Sequence, residues 1–309
     1  MAMQSIHDDM LDYGLLFISA ALYGATFMLI AVAVETLPPI TIVAGRQALA
    51  AAIFIAISFG LRQTLPSVIS GNFKLWGLIF ASALFGNALP FYLTTWGQQR
   101  VDAGLAAIII ATMPLITIVL AHFFTEDEKL NTRKLIGLMF GLFGIVILFG
   151  PDKLLALGDE TVRQYAILGS AMSFAVNMLV MKSLTGLPRY ALLAAILGLS
   201  FLIVLPFSVL EQPWNLQPTA HSLLAVIGIG ILTSAIGNLL SFYILKRRGA
   251  IFSAQTNYAI PVMAVFWAWL VLGEIPGLSL YIAMALILLG LAIVRGLPGL
   301  RYSKGRALL

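Results

Sequence analysis

Apolar residues fill this chain in long runs separated by short polar joints. The runs fall near 13–34, 39–60, 74–96, 103–124 and 133–150, then near 162–181, 189–209, 221–245, 250–272 and 278–295. A hydrocarbon layer about 30 Å thick needs about 20 apolar residues per helix, which is the length of these runs. Strands of a membrane barrel would instead read as segments of about ten residues with alternating polarity. The pattern therefore predicts an all-α integral membrane fold of ten transmembrane helices. The first run follows Asp8, Asp9 and Asp12 with no Lys or Arg before it, so it reads as a retained span rather than a cleaved leader.

Composition strengthens this picture. Hydrophobic residues make up 61% and charged residues 10%, with mean hydropathy +1.00, too little polar surface to cover a soluble domain. The net charge of +5 does not point to nucleic acid, because the cations flank the apolar runs instead of clustering. With the N-terminus in the cytoplasm, fourteen cations fall on the inner side: Arg62, Lys74, Lys129, Arg133, Lys134, Lys182, Arg189, Lys246, Arg247, Arg248, Arg295, Arg301, Lys304 and Arg306. Only Arg100, Lys153 and Arg163 fall outside, and Arg46 lies within a span. The positive-inside bias thus places both termini in the cytoplasm.

There is no cysteine, so disulfides and thiolate metal sites are excluded. No HExxH, Walker-type GxxxxGKS, GxSxG or Asp-rich pair occurs, and the histidines are three isolated residues. Neither an enzyme, a metal site nor a cofactor is expected.

The apolar runs repeat. GNALPFY at 86–92 and GNLLSFY at 237–243 agree at five of seven positions with an offset of 151. Ala103, Ala107 and Pro114 match Ala250, Ala254 and Pro261 at an offset of 147; Glu128, Gly144 and Gly150 match Glu274, Gly290 and Gly296 at 146. Ordered matches of this length predict a duplicated five-helix unit, residues 1–157 and 158–309, in one membrane domain. Five is odd, so the second unit is inverted. Cations follow suit: the second and fourth loops of the first half carry five Lys or Arg and their counterparts none, whereas the first and third carry one and their counterparts five. Inverted halves are the device of alternating access, with a substrate site between them near the midplane. A non-transporting receptor would have no use for such a duplication.

The five-plus-five plan and the P…E…G pattern of PLITIVLAHFFTEDEKLNTRKLIGLMFG and PVMAVFWAWLVLGEIPGLSLYIAMALILLG resemble the drug/metabolite transporter superfamily, EamA type, over nearly the whole chain. The first copy departs from the second by having TEDEK where the other has LGEIP. The chain is similar to bacterial inner-membrane amino-acid exporters, including exporters of aromatic amino acids. That resemblance implies a multi-pass inner-membrane protein whose partners are the lipid bilayer and a small-molecule substrate, an amino acid; another metabolite or a neutral drug is the alternative. Relatives that export cations use a buried carboxylate, whereas all thirteen acids here lie in tails, loops or helix ends, which favours facilitated efflux.

Polar side chains inside spans are the candidates for the site, since each is costly in lipid unless partnered. Arg46 is either a cation held by carbonyls and amides or a grip on a substrate carboxylate. Asn87 and Asn238, the polar letters of the repeated phrase, either bond across helices or hold a zwitterion. Gln255, Thr256, Asn257 and Tyr258 precede Pro261, and Pro261 with Pro114 forms a matched pair of proline-interrupted helices, which marks a binding site and its hinges. Asn177, Tyr23 and Thr26 share helix faces with other polar residues, and Trp267 could stack on substrate. Gly137 and Gly141 form a GxxxG surface expected to pack helices. Having both halves in one chain makes a monomer sufficient.

Overall fold

The computed structural model describes residues 2–66, 72–124, 130–149, 159–253 and 255–295. Among these the helices are, in chain order, α1 (Ala2–Ala33), α2 (Pro39–Gly60), α3 (Phe73–Gly97), α4 (Ala103–Phe124), α5 (Thr132–Phe149), α6 (Asp159–Lys182), α7 (Arg189–Leu210), α8 (Ala220–Gly249), α9 (Thr256–Leu272) and α10 (Leu278–Arg295). No strand occurs among the described residues. Seven stretches, on α1 to α4 and α6 to α8, are long and apolar enough to cross a membrane; α9 and α10 are apolar but shorter. The expected junction of the halves at 157, together with Glu128, Lys129, Lys153 and the C-terminal cations from Arg301 onward, lies outside the described residues.

Two boundaries differ from expectation. Helix α1 begins at Ala2 instead of near residue 13. Its extension docks on the end of α8: the buried Asp12 carboxylate accepts from Arg247 Nε at 2.5 Å and from Arg248 Nε at 2.8 Å. The expected single run 250–272 is also divided. Gly249 takes φ 81, a left-handed conformation open to glycine, the chain is helical again to Ser253, and α9 begins at Thr256.

Packing couples the two halves of the sequence. α5 lies along α10, α2 along α7, α1 along α9, and α6 along α3 and α4. Small residues set how closely α5 and α10 approach. A Cβ on Gly137 would lie 2.5 Å from the Gly290 carbonyl, and one on Gly144 would lie 3.0 Å from the Ala283 carbonyl and 2.7 Å from Ile287. Gly290 in turn faces Gly137 and Gly141. Ala283, Ile287 and Gly290 are the residues that the 146 offset assigns to Gly137, Gly141 and Gly144, so the contacts themselves exchange with the halves. A Cβ on Gly141 would run into Leu115 of α4, so the two glycines of GxxxG serve different neighbours.

Large apolar side chains cover the outside. Phe59 is 87% exposed and Ile275 88%, and Phe123, Phe207, Leu210 and Leu270 also project outward. So much exposed apolar surface suits acyl chains, not water.

Candidate functional site

Both copies of the repeated phrase adjoin a departure from α geometry, the first overlapping it and the second beginning where it ends. Leu84–Ala88 in α3 and Ile229–Ile236 in α8 are π-helical, the wider turn that leaves a carbonyl without its usual partner. Asn87 Nδ2 donates to the Ser82 carbonyl at 3.4 Å, and Asn238 Nδ2 donates to the Ser234 carbonyl at 2.5 Å. Each asparagine thus bonds its own helix, not a neighbouring one as its interhelical reading supposed, through a carbonyl five residues back for Asn87 and four back, inside the π segment, for Asn238.

The glycines of the phrase leave room for polar residues on facing helices. A Cβ on Gly86 would come 2.5 Å from Asn177 Cγ of α6, and one on Gly237 would come 3.3 Å from the Tyr23 ring of α1. Pro90 lacks an N–H, and serines of α6 compensate nearby: Ser173 Oγ donates to the Phe85 carbonyl and Ser170 Oγ to the Pro90 carbonyl, each at 2.8 Å. Ser170 Oγ also lies 2.7 Å from Thr94 Oγ1.

These elements enclose a cavity of about 430 Å³ walled by α1 to α4 and α6 to α9, with α5 and α10 outside it. Tyr23 and Thr26 enter from α1, Arg46 from α2, Asn87 from α3, Asn177 from α6, Asn238 from α8 and Asn257 from α9. Phe91, Phe174 and Phe242 form much of the remaining wall, the first two edge to face with centroids 5.4 Å apart. The volume falls within the range of small-molecule sites, about 300–1,000 Å³.

Among the described residues Arg46 is the only Lys, Arg, Asp or Glu that lines the cavity. It is 3% exposed; Nη2 donates to Ser234 Oγ at 2.9 Å and the guanidinium carbon lies 3.6 Å from the Phe91 ring centroid. A hydroxyl and a ring hold it, not the carbonyls and amides expected. Its Nε and Nη1 are buried and meet no hydrogen-bond partner among the described residues, and neither does Asn177 Oδ1. Free N–H groups on a buried guanidinium and a free carbonyl acceptor suit a polar ligand.

The other sequence candidates are placed elsewhere. Trp267 points its indole N–H at the Ala21 carbonyl, 3.0 Å away, which fixes α9 to α1. Tyr258 donates to the Leu291 carbonyl of α10 at 3.2 Å. Gln255 caps the start of α9 and lies outside the cavity wall. Thr256 is buried and lines a hollow of about 360 Å³ that shares Tyr23, Asn257 and Ile260 with the cavity, its mouth at the Gly249 end of the bundle. Pro114 follows a break at Ala111–Thr112, where Thr112 Oγ1 supplies the Ile109 carbonyl; Pro261 sits inside an unbroken α9, whose discontinuity comes earlier, before Thr256.

At its other end the cavity is closed. Phe27, Ala103, Ala107, Ile109, Ile167 and Ala264 form a buried apolar cluster there. Glu274 clamps it: its carboxylate accepts from the Ala103 and Gly104 N–H groups at 2.8 and 3.1 Å, a charged cap on the first turn of α4 supplied by the loop after α9. On the far face of α3 a groove of about 960 Å³ holds Tyr92 in a mainly apolar wall and contains none of the substrate candidates.

Sequence reasoning missed Ser234, Ser82, Thr94 and Ser170. Short hydroxyl residues are common in apolar helices, and only Ser234 carried a signal, lying just before the second copy of the phrase.

The EamA-like transporter family matches this sequence twice, over residues 11–150 and again over 164–296. The chain belongs to that family. It is a transporter by family, and its long apolar helices fit a multi-pass membrane protein. A relative from Bacillus subtilis strain 168, the uncharacterized transporter YoaV, is 26% identical over 87% of this chain and 91% of its own. An uncharacterized transporter encoded in the trpA 3′ region of Buchnera aphidicola from Schlechtendalia chinensis is 32% identical over 80% of each chain. The uncharacterized inner membrane transporter YedA of Escherichia coli K12 is 27% identical over 91% of this chain and 90% of its own. A solved crystal structure, 22% identical, shares the fold with TM-score 0.60 over 90% of this chain and 98% of that one.

Proposed function

We propose that this EamA-family transporter exports amino acids from the cytoplasm across the inner membrane by alternating access between two inverted five-helix repeats. The observation that carries the reading is the cavity between the halves: Arg46 has N–H groups and Asn177 a carbonyl without hydrogen-bond partners, between walls contributed by both halves. Together they suit the carboxylate and ammonium of an amino acid, and Phe91, Phe174 and Phe242 suit an apolar side chain.

Three further observations support the mechanism. The family matches once per half, the α5–α10 glycine contacts exchange under the repeat offset, and a π segment overlaps the first copy of the phrase and another ends immediately before the second. With both termini in the cytoplasm the mouth beside Gly249 faces inward and the Glu274 seal faces outward, so this conformation loads from the cytoplasm. YedA is called an inner membrane transporter, which supports the location. A neutral metabolite of another kind is the alternative cargo.

The test is reconstitution of purified protein in liposomes loaded with labelled amino acids, with and without a pH gradient. Efflux above that of protein-free liposomes is expected for at least one apolar amino acid, indifferent to the gradient. Absence of efflux across the whole panel would overturn the reading.

A further inference from the structure

The cavity-facing sides of two helices continue past the cavity. On α3 the wall residues Asn87, Phe91 and Thr94 follow one another at helical spacing, and the next position of that stripe is Gln98, which ends the helix. On α6 Met181, Asn177 and Phe174 line the cavity, and Ser170, Ile167 and Gln164 carry the same face outward. The two helices stay in contact at this level: Ser170 meets Thr94, and a Cβ on Gly97 would run into Ile167. Both stripes thus cross the apolar seal of Phe27 and Ile167 and end in a glutamine.

These glutamines are unlike the seal around them. Gln98 is 5% exposed and Gln164 8%, and the Oε1 carbonyl of each is buried without a hydrogen-bond partner among the described residues. Gln98 commits only its amide N–H, donating through Nε2 to the Phe27 carbonyl at 2.8 Å and so tying α3 to α1 across the seal. The facing side chains, Phe27, Ala103, Ala107 and Ala264, are apolar and offer no donor. Arg163, next to Gln164, is engaged elsewhere: Nη1 donates to the Trp96 carbonyl at 2.7 Å and to Gln99 Oε1 at 2.8 Å, and the guanidinium stacks on the Trp96 ring. A buried carbonyl without a donor is costly, so two of them along one path call for a donor from outside the fold.

We infer that Gln98 and Gln164 form a second station for the cargo, outward of the midplane cavity, which takes the ammonium group of the amino acid as it leaves. The station rests on the amino-acid reading of the cavity. Amide carbonyls only accept, so they repel a carboxylate and suit an ammonium with its three N–H donors. The two ends of the zwitterion are then served in turn, since Arg46 suits the carboxylate in the cavity and the glutamines draw the ammonium outward first. Parting of α1 from α3 breaks the bond from Gln98 to Phe27, which opens the seal and uncovers the station in one movement.

Phenylalanine is the probe. Efflux from proteoliposomes made with the full chain gives a maximal rate, and equilibrium dialysis of the purified protein gives the Kd of the cavity. Gln164→Met keeps the length of the side chain and removes the acceptor; it should lower the maximal rate about tenfold, leave Kd within about twofold, and leave the unfolding midpoint unchanged or raised. Gln98→Met should show the same loss of rate at unchanged Kd. Wild-type rates in both variants, or a loss of rate that comes with weaker binding or a lower unfolding midpoint, overturn the station while leaving the transport reading standing. Gln164→Cys reads the opening directly in a chain with no cysteine of its own. An impermeant maleimide outside should label it about fivefold faster when phenylalanine is supplied inside, and an unchanged rate overturns the inference. Wild-type protein that moves no amino acid overturns the transport reading on which the station rests.

Discussion

Arg46 of α2 and Ser234 of α8 meet at 2.9 Å across the cavity, and the same serine accepts from Asn238 through its carbonyl. One short side chain thus ties the cation of the first half to the repeated phrase of the second. Its Nε and Nη1 have no hydrogen-bond partner among the described residues.

Replacing Arg46 separates function from stability. A mid-span arginine costs about 2.5–3.5 kcal/mol on insertion scales, so Arg46→Met should fold at least as well as the parent while losing transport tenfold or more. Arg46→Lys keeps the charge but not the fork, and should recover little. Thermal unfolding in detergent and efflux from liposomes check the two arms.

Gly86 and Asn177 should behave as a unit. Gly86→Ala drives a methyl into the amide and is expected to cost about 1–3 kcal/mol with loss of transport. Adding Asn177→Ala should restore folding but not transport, because the space returns and the acceptor does not. A double-mutant cycle on unfolding midpoints measures the coupling; additive effects would refute the contact.

The α5–α10 interface has no room to give. Gly290→Leu places atoms against the backbone of Gly137 and Gly141 and should prevent accumulation of folded protein, whereas Gly14→Ala, with no atom within 4 Å of the new methyl, should be neutral within about 0.5 kcal/mol. Gel-filtration yield and unfolding temperature distinguish them.

Glu274 ties the loop after α9 to the α4 N-terminus. Glu274→Ala removes a charged cap and should destabilise by about 1 kcal/mol, read as a lower unfolding midpoint, and should raise labelling of a cysteine placed at Ala107 from the outside. The chain has no cysteine of its own, so the background is nil.

Topology is open to the same tool. Single cysteines in place of Glu35 and Thr185, exposed residues in the corresponding first loops of the two halves, should label from opposite faces of the membrane, Glu35→Cys from outside and Thr185→Cys from inside. Labelling from one face would remove the inverted repeat and the alternating-access mechanism with it.

The apolar runs fixed where helices lie, since a helix that must bury its own backbone in lipid announces itself by length and composition. The phrase GNALPFY/GNLLSFY marked two walls of the cavity before any coordinate was known, and Arg46 was conspicuous because charge is rare at that depth. Trp267 and Tyr258 looked equally polar in the sequence, yet their N–H and O–H groups point at the carbonyls of Ala21 and Leu291 and serve packing. Helical spacing locates a residue on its own helix but not the helix it faces.

What the sequence determined by itself is the membrane class, the helix positions and the repeat, because each is written in local composition and in order along the chain. Tertiary structure decided which polar atoms remain unpartnered. Ser234, marked in the sequence only by its place before the repeated phrase, holds Arg46 because α2 and α8 are packed side by side, and Asn177 lies against Gly86, where a side chain would leave it no space. Hydrogen bonds between helices depend on pairwise distance, which no one-dimensional pattern encodes.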